Sequence, residues 1–343
     1  MKVTDFTIKD IANRADVSTA TVSRALNDSG YVGIKTKERI RNIAKELNYV
    51  PNAMARSLSK SESSVIGVVV PEITNPFFGE VIKGITSMAD KNNLSIILYS
   101  TDEIVQKELR CLQLLKEQRV KGLILTSASE DEHFNSNYLK ALQDLGIPIV
   151  LMDRDVKYST FDAVFFDDIQ GAFMGVEALI KAGHRRIAAL SGPTVMRPGR
   201  DRLRGYKKAF FMNNIPLDEN YIFYGEHSMK SGYRETKEIL QMKDSPTAIF
   251  ATNNMVCLGC MKALCELGVK IPQEMALVGF DQIEAFDILN LNISVVYKDT
   301  EKMGKTAMKL LLEKLSDKEG ESHTRRVILP TEIKLKGSEK YVR

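Results

Sequence analysis

The side chains Thr19, Ala20 and Arg24 carry the most specific chemistry in this 343-residue sequence, because their spacing puts them together on the front of one short helix. They lie in the run Thr7 to Asn27, TIKDIANRADVSTATVSRALN, which reads as two short helices broken by a tight turn at Asp16-Val17. Thr7 caps the first helix, with Asp10 three residues on, where a carboxylate favours a helix start. Ile8, Ile11, Ala12 and Ala15 then recur at helical spacing. Ser18 caps the second helix, which runs to about Leu26. On its wheel Val22, Ala25 and Leu26 face inward, while Ala20, Arg24 and Asn27 point away. A short helix with a small, polar and basic tip is what a DNA major groove admits. The pattern is a helix-turn-helix. A second set of polar residues stands just past apolar, strand-like runs, with Asp153 ending IPIVLMD and Asp281 near the end of MALVGFDQ; ligands of α/β proteins bind at such strand ends.

Other chemistries find no support in the residue pattern. No Ser/His/Asp set and no metal constellation falls at a useful spacing, so no catalytic residue and no metal ligand is assigned. No G-x-G-x-x-G follows the first strand and no G-x-x-x-x-G-K-[ST] occurs anywhere, which counts against a nucleotide cofactor. No cofactor is expected. Cys257, Cys260 and Cys265 sit on one helical run without a second pair, and they read as small buried thiols.

The elements that must position these residues follow from charge and periodicity. Residues 1–60 hold 11 Lys and Arg against 6 Asp and Glu, a net +5, which leaves 37 against 38 for the remainder. All the excess positive charge therefore lies on the segment with the helix-turn-helix, as a polyanionic partner requires. The first residues contain no apolar signal core, and no run approaches a membrane span, so the expected location is cytoplasmic. After Asn27 a loop leads to a third helix, KERIRNIAKELNY, which Thr36 would cap and in which Ile40, Ile43, Ala44 and Leu47 form an apolar stripe. PNAMARSLS and a serine-rich connector come next. That segment, about 8 residues long, is too short to be a stable helix alone. From Val65 onward, apolar runs such as VIGVVVP, LSIILYS and VKGLILTSA alternate with helical stretches, and a second series begins at RRIAALSGP. Uniformly apolar strands separated by helices predict parallel sheets covered on both faces.

The run Thr7 to Asn27 resembles the DNA-binding headpiece of the lactose-repressor (LacI/GalR) family, whose pattern T-I-x-D-[IV]-A-x-x-A-x-V-S-x-x-T-V-S-R-x-[LV]-N it matches almost throughout. The similarity extends over essentially the whole chain and implies an α/β protein: an all-α helix-turn-helix headpiece followed by a two-lobed core of parallel sheets like that of periplasmic binding proteins. On that basis residues 1–50 read DNA, 51–63 form a hinge helix and linker, and 64–335 bind an effector and dimerise. One lobe would hold about 64–166 and 297–325 and the other about 167–296 and 326–335, with crossovers near Asp167, Val296 and Arg326. The resemblance assigns DNA contact to Thr7, Ser18, Thr19, Ala20, Thr21, Arg24 and Asn27. It also implies minor-groove contact by the hinge residues Asn52, Ala55 and Leu58. A leucine in a polar linker suits a wedge between base steps.

For the effector the resemblance points to Arg202 in R-L-R-G-Y, Asp281 in V-G-F-D and Phe77 in N-P-F-F, besides Asp153 and Asn253. A bidentate arginine facing carboxylates suits a polyol, whose hydroxyls both donate and accept. Several positions depart from the family pattern. Asn254 replaces an aspartate, Cys257 an alanine, His227 an aromatic and Lys298 a glutamine; with Arg197 and Arg200 beside Arg202, these changes raise the expectation of an acidic sugar derivative. The implied function is a non-enzymatic transcription repressor of a carbohydrate operon. Its expected partners are double-stranded DNA at a pseudo-palindromic operator, a sugar or sugar-acid effector, and a second copy of the chain as a homodimer, with no membrane. The competing reading is a solute-binding receptor of the same two-lobed fold; a sugar-processing enzyme lacks a nucleophile or acid–base pair.

Overall fold

The protein is described by a computed structural model over residues 6–47, 49, 63–130, 137, 139–140, 143–144, 146–317 and 323–340. It divides into two compact units, Met1–Ser63 and Ser64–Arg343. Asn52, Ala55 and Leu58 lie outside the described residues.

The first unit contains α1 (Ile8–Arg14), α2 (Thr19–Asn27) and α3 (Ile34–Glu46) around a core of Ile11, Ala12, Ala15, Val22, Ala25, Ile40, Ala44 and Leu47. The Asp10 carboxylate accepts the Thr7 N–H at 2.7 Å, and Ser18 Oγ accepts the Thr21 N–H at 3.1 Å, so both helices start where a side chain satisfies free N–H groups. Between them the turn passes through Asp16 at φ 48°, a left-handed position that aspartate tolerates. The third helix begins three residues earlier than expected. Gly33 occupies its N-cap and Thr36 lies inside the first turn. Asp28 holds α3 in place by pairing with Lys37 and with Arg41 at 2.9 Å.

The second unit holds two six-stranded sheets. The first has strands β1 (Val65–Val70), β2 (Ser95–Ser100), β3 (Gly122–Leu125), β4 (Ile149–Met152), β5 (Asp162–Phe166) and β11 (Arg326–Leu329), in the order β11-β5-β4-β3-β1-β2. The second has β6 (Ile187–Ser191), β7 (Ile222–Tyr224), β8 (Ala248–Ala251), β9 (Ala276–Phe280), β10 (Ser294–Tyr297) and β12 (Glu332–Lys334), in the order β12-β10-β9-β8-β6-β7. The two orders repeat one doubly wound plan, 2-1-3-4-5 plus a last strand. Pairing is parallel throughout the first sheet, whereas β12 runs antiparallel to β10 at the edge of the second. Helices α4 (Pro76–Lys91), α5 (Val105–Glu117) and α11 (Thr300–Ser316) cover the first sheet. The second carries α6 (Asp168–Lys181), α7 (Arg197–Met212), α8 (Met229–Gln241), α9 (Asn254–Glu266) and the short α10 (Glu284–Ile288). Each sheet is buried on both faces, with separate apolar clusters above and below it. Side chains such as Phe165, Phe250 and Phe280 are almost wholly buried, each contributing about 1.5–3 kcal/mol of apolar burial.

The chain crosses between sheets three times. After β5 it enters α6, and after β10 it returns to α11, which packs on α4. That packing needs glycine on both sides: a Cβ at Gly84 would lie 2.2 Å from the Glu301 carbonyl oxygen, and one at Gly304 2.0 Å from that of Val81. The third crossing differs from the expectation at Arg326. Residues Arg326–Leu329 still pair with β5, and the chain passes over at Pro330-Thr331. Proline, which cannot donate to a ladder, separates two strands that read as one in sequence. The second lobe also continues past residue 335, because Ser338 accepts the Leu277 N–H at 2.9 Å through its carbonyl.

Candidate functional site

The first unit presents its candidate surface on α2. Thr19, Ala20 and Arg24 are exposed, Thr7 and Ser18 are exposed at the two caps, and Thr21 and Asn27 are half-buried on the flank. Thr21 is also tied locally, its hydroxyl 2.9 Å from that of Ser18. The Arg24 side chain lies along Gly30, whose φ of 80° lets the following loop fold back beside the helix.

In the second unit, strand ends from both sheets face one cavity of about 50 Å³. Asp153 and Asp281 occupy equivalent places on its two sides. Each follows the fourth strand of its sheet and each adopts a left-handed conformation, φ 64° and 69°. Each donates its N–H to the adjacent strand, to Val164 and Val296, both at 2.9 Å. The repeated fold therefore aims two carboxylates at the same space. Phe77, Arg202, His227 and Asn253 line the cavity with them, so six of the seven sequence-derived effector residues converge.

The seventh, Lys298, behaves differently from the expectation. Its ammonium is fully enclosed, 2.9 Å from Asp281 Oδ1 and 3.7 Å from Asp168 Oδ1. The rings of Phe77, Phe166 and Phe280 surround it at 4.6, 5.0 and 5.2 Å. It is a buried counter-ion of the second-lobe carboxylates, held further by the negative ring faces. Arg197 and Arg200 also turn away from the ligand space. Arg197 pairs with Asp201 at 3.4 Å and stacks over Phe165, while Arg200 pairs with Glu130 at 3.1 Å. The basic crowding visible in the sequence is spent on internal acids.

Arg202 reaches the cavity but is held from behind. Its Nε donates to Asp168 Oδ2 at 3.0 Å, its Nη1 donates to the Thr252 carbonyl at 2.8 Å, and its guanidinium lies 4.4 Å over the Phe280 ring. Burial opposes its charge, but Asp168, Asp281 and Asp153 outweigh that and raise its pKa. Burial pushes the Asp153 carboxyl up despite Lys298 and Arg202 nearby. His227 is held well below the ordinary histidine range by burial and by Arg202, Arg154 and Lys298. It is a neutral imidazole, and its Nε2 is buried without a hydrogen-bond partner. Asn253 Oδ1 accepts the Val256 N–H at 2.7 Å and so caps α9, leaving its amide NH₂ as the group able to donate elsewhere.

Several site residues carry no signal in the linear pattern. Glu103 and Arg154 line the cavity as an ion pair. Asn75 Oδ1 accepts from Asn254 Nδ2 at 2.7 Å, a hydrogen bond that joins the two lobes across the cavity. Glu130, only 4 % exposed, likewise reaches from the first lobe to the backbone N–H of Arg197 and to Arg200. Asp168 stands in the first turn of α6, and its partner Arg202 lies 34 residues away. The Cys257 and Cys260 thiols belong to the core of the second lobe, and burial pushes Cys260 up to about 12.

Comparison with known proteins gives the same two parts. Residues 7–52 match the family of bacterial regulatory proteins of the lacI type, and residues 63–339 match the periplasmic binding proteins and sugar-binding domain of the LacI family. The HTH-type transcriptional repressor PurR of Vibrio atlanticus is 34% identical over 92% of this chain and 93% of its own. The Lac repressor dimer bound to operator and the anti-inducer ONPF superposes with a TM-score of 0.83 at 28% identity, covering 97% of this chain and 99% of that one. A LacI-family regulator from Enterococcus faecium with bound ribose has a TM-score of 0.72 at 28% identity, covering 81% and 100%. These relatives are transcription regulators, not enzymes.

Proposed function

We propose, from the premise that this chain belongs to the LacI family of bacterial regulatory proteins and is a DNA-binding transcriptional repressor, that a neutral, hydroxyl-rich small molecule controls its operator binding from the cleft between the lobes. The observation that carries this reading is the pair Asp153 and Asp281, set at equivalent strand ends and facing one cavity. Carboxylates accept from hydroxyls, Asn253 and Arg202 donate, and neutral His227 can do either. Among the described residues, the cations near the cavity each have an acid partner: Arg154 has Glu103, Arg202 has Asp168, and Lys298 has Asp281. An anionic ligand would meet Asp153 with no uncommitted cation to offset it. That replaces the sugar acid expected from Lys298 by a neutral sugar, in keeping with the relative solved with bound ribose.

The cavity has room for only a few waters, less than a sugar ring requires. Binding therefore requires the lobes to part at contacts such as Asn75–Asn254 and Glu130–Arg200. A ligand that favours one closure over another shifts the equilibrium between them, and through it the operator affinity. The Lac repressor relative is a dimer on its operator; we assign the same homodimer and a pseudo-palindromic operator here, in the cytoplasm, serving a carbohydrate operon. No helix among the described residues is long and apolar enough to cross a membrane.

Gel shifts on genomic fragments, with a panel of neutral sugars and their corresponding acids, test the proposal. A neutral sugar should change the shift and stabilise the protein, whereas a response confined to acids or phosphates defeats the reading. On the operator so found, Arg24→Ala should cost about 1–3 kcal/mol at one base pair and far less on random DNA; equal losses on both would make Arg24 a phosphate contact.

A further inference from the structure

Glu103 reaches Arg154 in a geometry that a bound anion would otherwise take. Arg154 is 7 % exposed and follows Asp153 in the wall of the cavity. Its Nη1 and Nη2 donate in parallel to the two Glu103 oxygens at 2.5 and 2.6 Å, and Nη1 also donates to the Ser127 carbonyl at 3.3 Å. A paired, planar fork of this kind is how guanidinium groups bind carboxylates and phosphates. The two partners differ sharply in setting, since the Glu103 side chain is half exposed while that of Arg154 is almost wholly enclosed. Glu103 is delivered by a loop in which it and Asp102 both hold left-handed conformations, φ 60° and 50°, rare for two successive non-glycine residues. Nearby strand ends leave the hydroxyls of Thr101 and Thr126 and the Nε of Arg154 buried without hydrogen-bond partners. The guanidinium itself thus keeps a donor that the chain does not use.

We propose that Glu103 is a specificity-determining residue: its carboxylate occupies an anion seat on Arg154 and so reserves the cleft for ligands without an acidic group. The proposal rests on reading the cavity as the effector site, and it identifies what excludes acids from that site. A carboxylate or phosphate on a ligand would have to displace Glu103 and would leave that charge beside Asp153. With Glu103 removed, the same guanidinium becomes an open seat for small oxyanions.

The experiment needs no effector. Thermal unfolding of the full chain and of Glu103→Ala is followed while sodium acetate or inorganic phosphate is titrated against sodium chloride at equal ionic strength. In Glu103→Ala, acetate and phosphate should raise Tm saturably by about 2 °C or more above the chloride control. The native chain should show no such excess, and neither should the double variant Glu103→Ala, Arg154→Met, in which the seat is gone. If the single variant is too unstable to fold in chloride, recovery of its folded signal in acetate gives the same reading. An equal anion response in the native chain, its absence in Glu103→Ala, or its persistence in the double variant overturns the proposal. Because no sugar is involved, failure of the sugar response with the anion response intact would count against the proposed effector and not against the seat.

Discussion

Asp153 and Asp281 stand at the same point of two copies of one strand plan, yet the chain treats them differently. Backbone conformation and ladder hydrogen bond are alike at both. Asp281 has a buried ammonium 2.9 Å away, supplied by Lys298 at the crossover that follows β10. No ion pair links Asp153 to any cation among the described residues, and burial pushes its carboxyl up. The repeat thus provides two acceptors of equal geometry, and a single lysine, next to the N-cap Asp299 where the first lobe has Phe166 next to the N-cap Asp167, makes one a neutralised pair and leaves the other to its ligand. Equivalent positions in a duplicated fold share direction but not charge balance.

Removing the lysine is the most severe way to break this asymmetry. Lys298→Met leaves Asp281 buried without its counter-ion, while Asp168 keeps Arg202, and loss of one member of a buried pair costs about 3–5 kcal/mol; denaturant unfolding should show a loss of that size, and a change under about 1 kcal/mol would mean the Asp281 carboxylate is hydrated. The next test replaces each acid by asparagine, which tolerates the left-handed backbone. Asp281→Asn leaves the Lys298 ammonium buried with only Asp168, 3.7 Å away, and should destabilise the fold by about 1–3 kcal/mol, the penalty of a buried polar group that loses its partner. Asp153→Asn removes no ion pair and should leave stability nearly unchanged, while weakening a neutral sugar effector about tenfold or more. Titration calorimetry beside unfolding curves separates the two, and equal destabilisation by both variants would erase the distinction.

The smallest expected effect is in pH. The raised carboxyl of Asp153 takes up a proton at a higher pH than an ordinary aspartate, and protonation removes its acceptor charge. Effector affinity should therefore fall, as the medium is acidified, through that raised pKa and above the usual aspartate range near 4. In Asp153→Asn that fall should be absent. An affinity that declines only through the ordinary range would place Asp153 in water.

The headpiece was readable because its information is local. Capping residues, a turn and an inward stripe recur within 21 residues, and helical spacing alone sorts Val22 and Ala25 inward from Thr19, Ala20 and Arg24 outward. The misplaced start of α3 shows the limit of such reading, since Thr36 looks like a cap but Gly33 takes that place. The alternation of apolar runs and helices likewise determined parallel sheets covered by helices, because parallel strands buried on both faces leave that pattern in the residues themselves; their division into two lobes came from the family resemblance.

Tertiary structure decided which charges remain for a ligand. Lys298, Arg197 and Arg200 read as an anion-seeking cluster in sequence, but in three dimensions they face Asp281, Asp201 and Glu130, with the partner of Arg200 supplied by the opposite lobe from 70 residues away. Arg154 and Glu103 are 51 residues apart and meet only because β2 and β4 end at the same rim of one sheet. Side-chain type fixes what a group can donate or accept; whether that capacity is already satisfied depends on neighbours brought by the crossovers, and burial makes the pairing compulsory because an uncompensated charge costs too much in the interior.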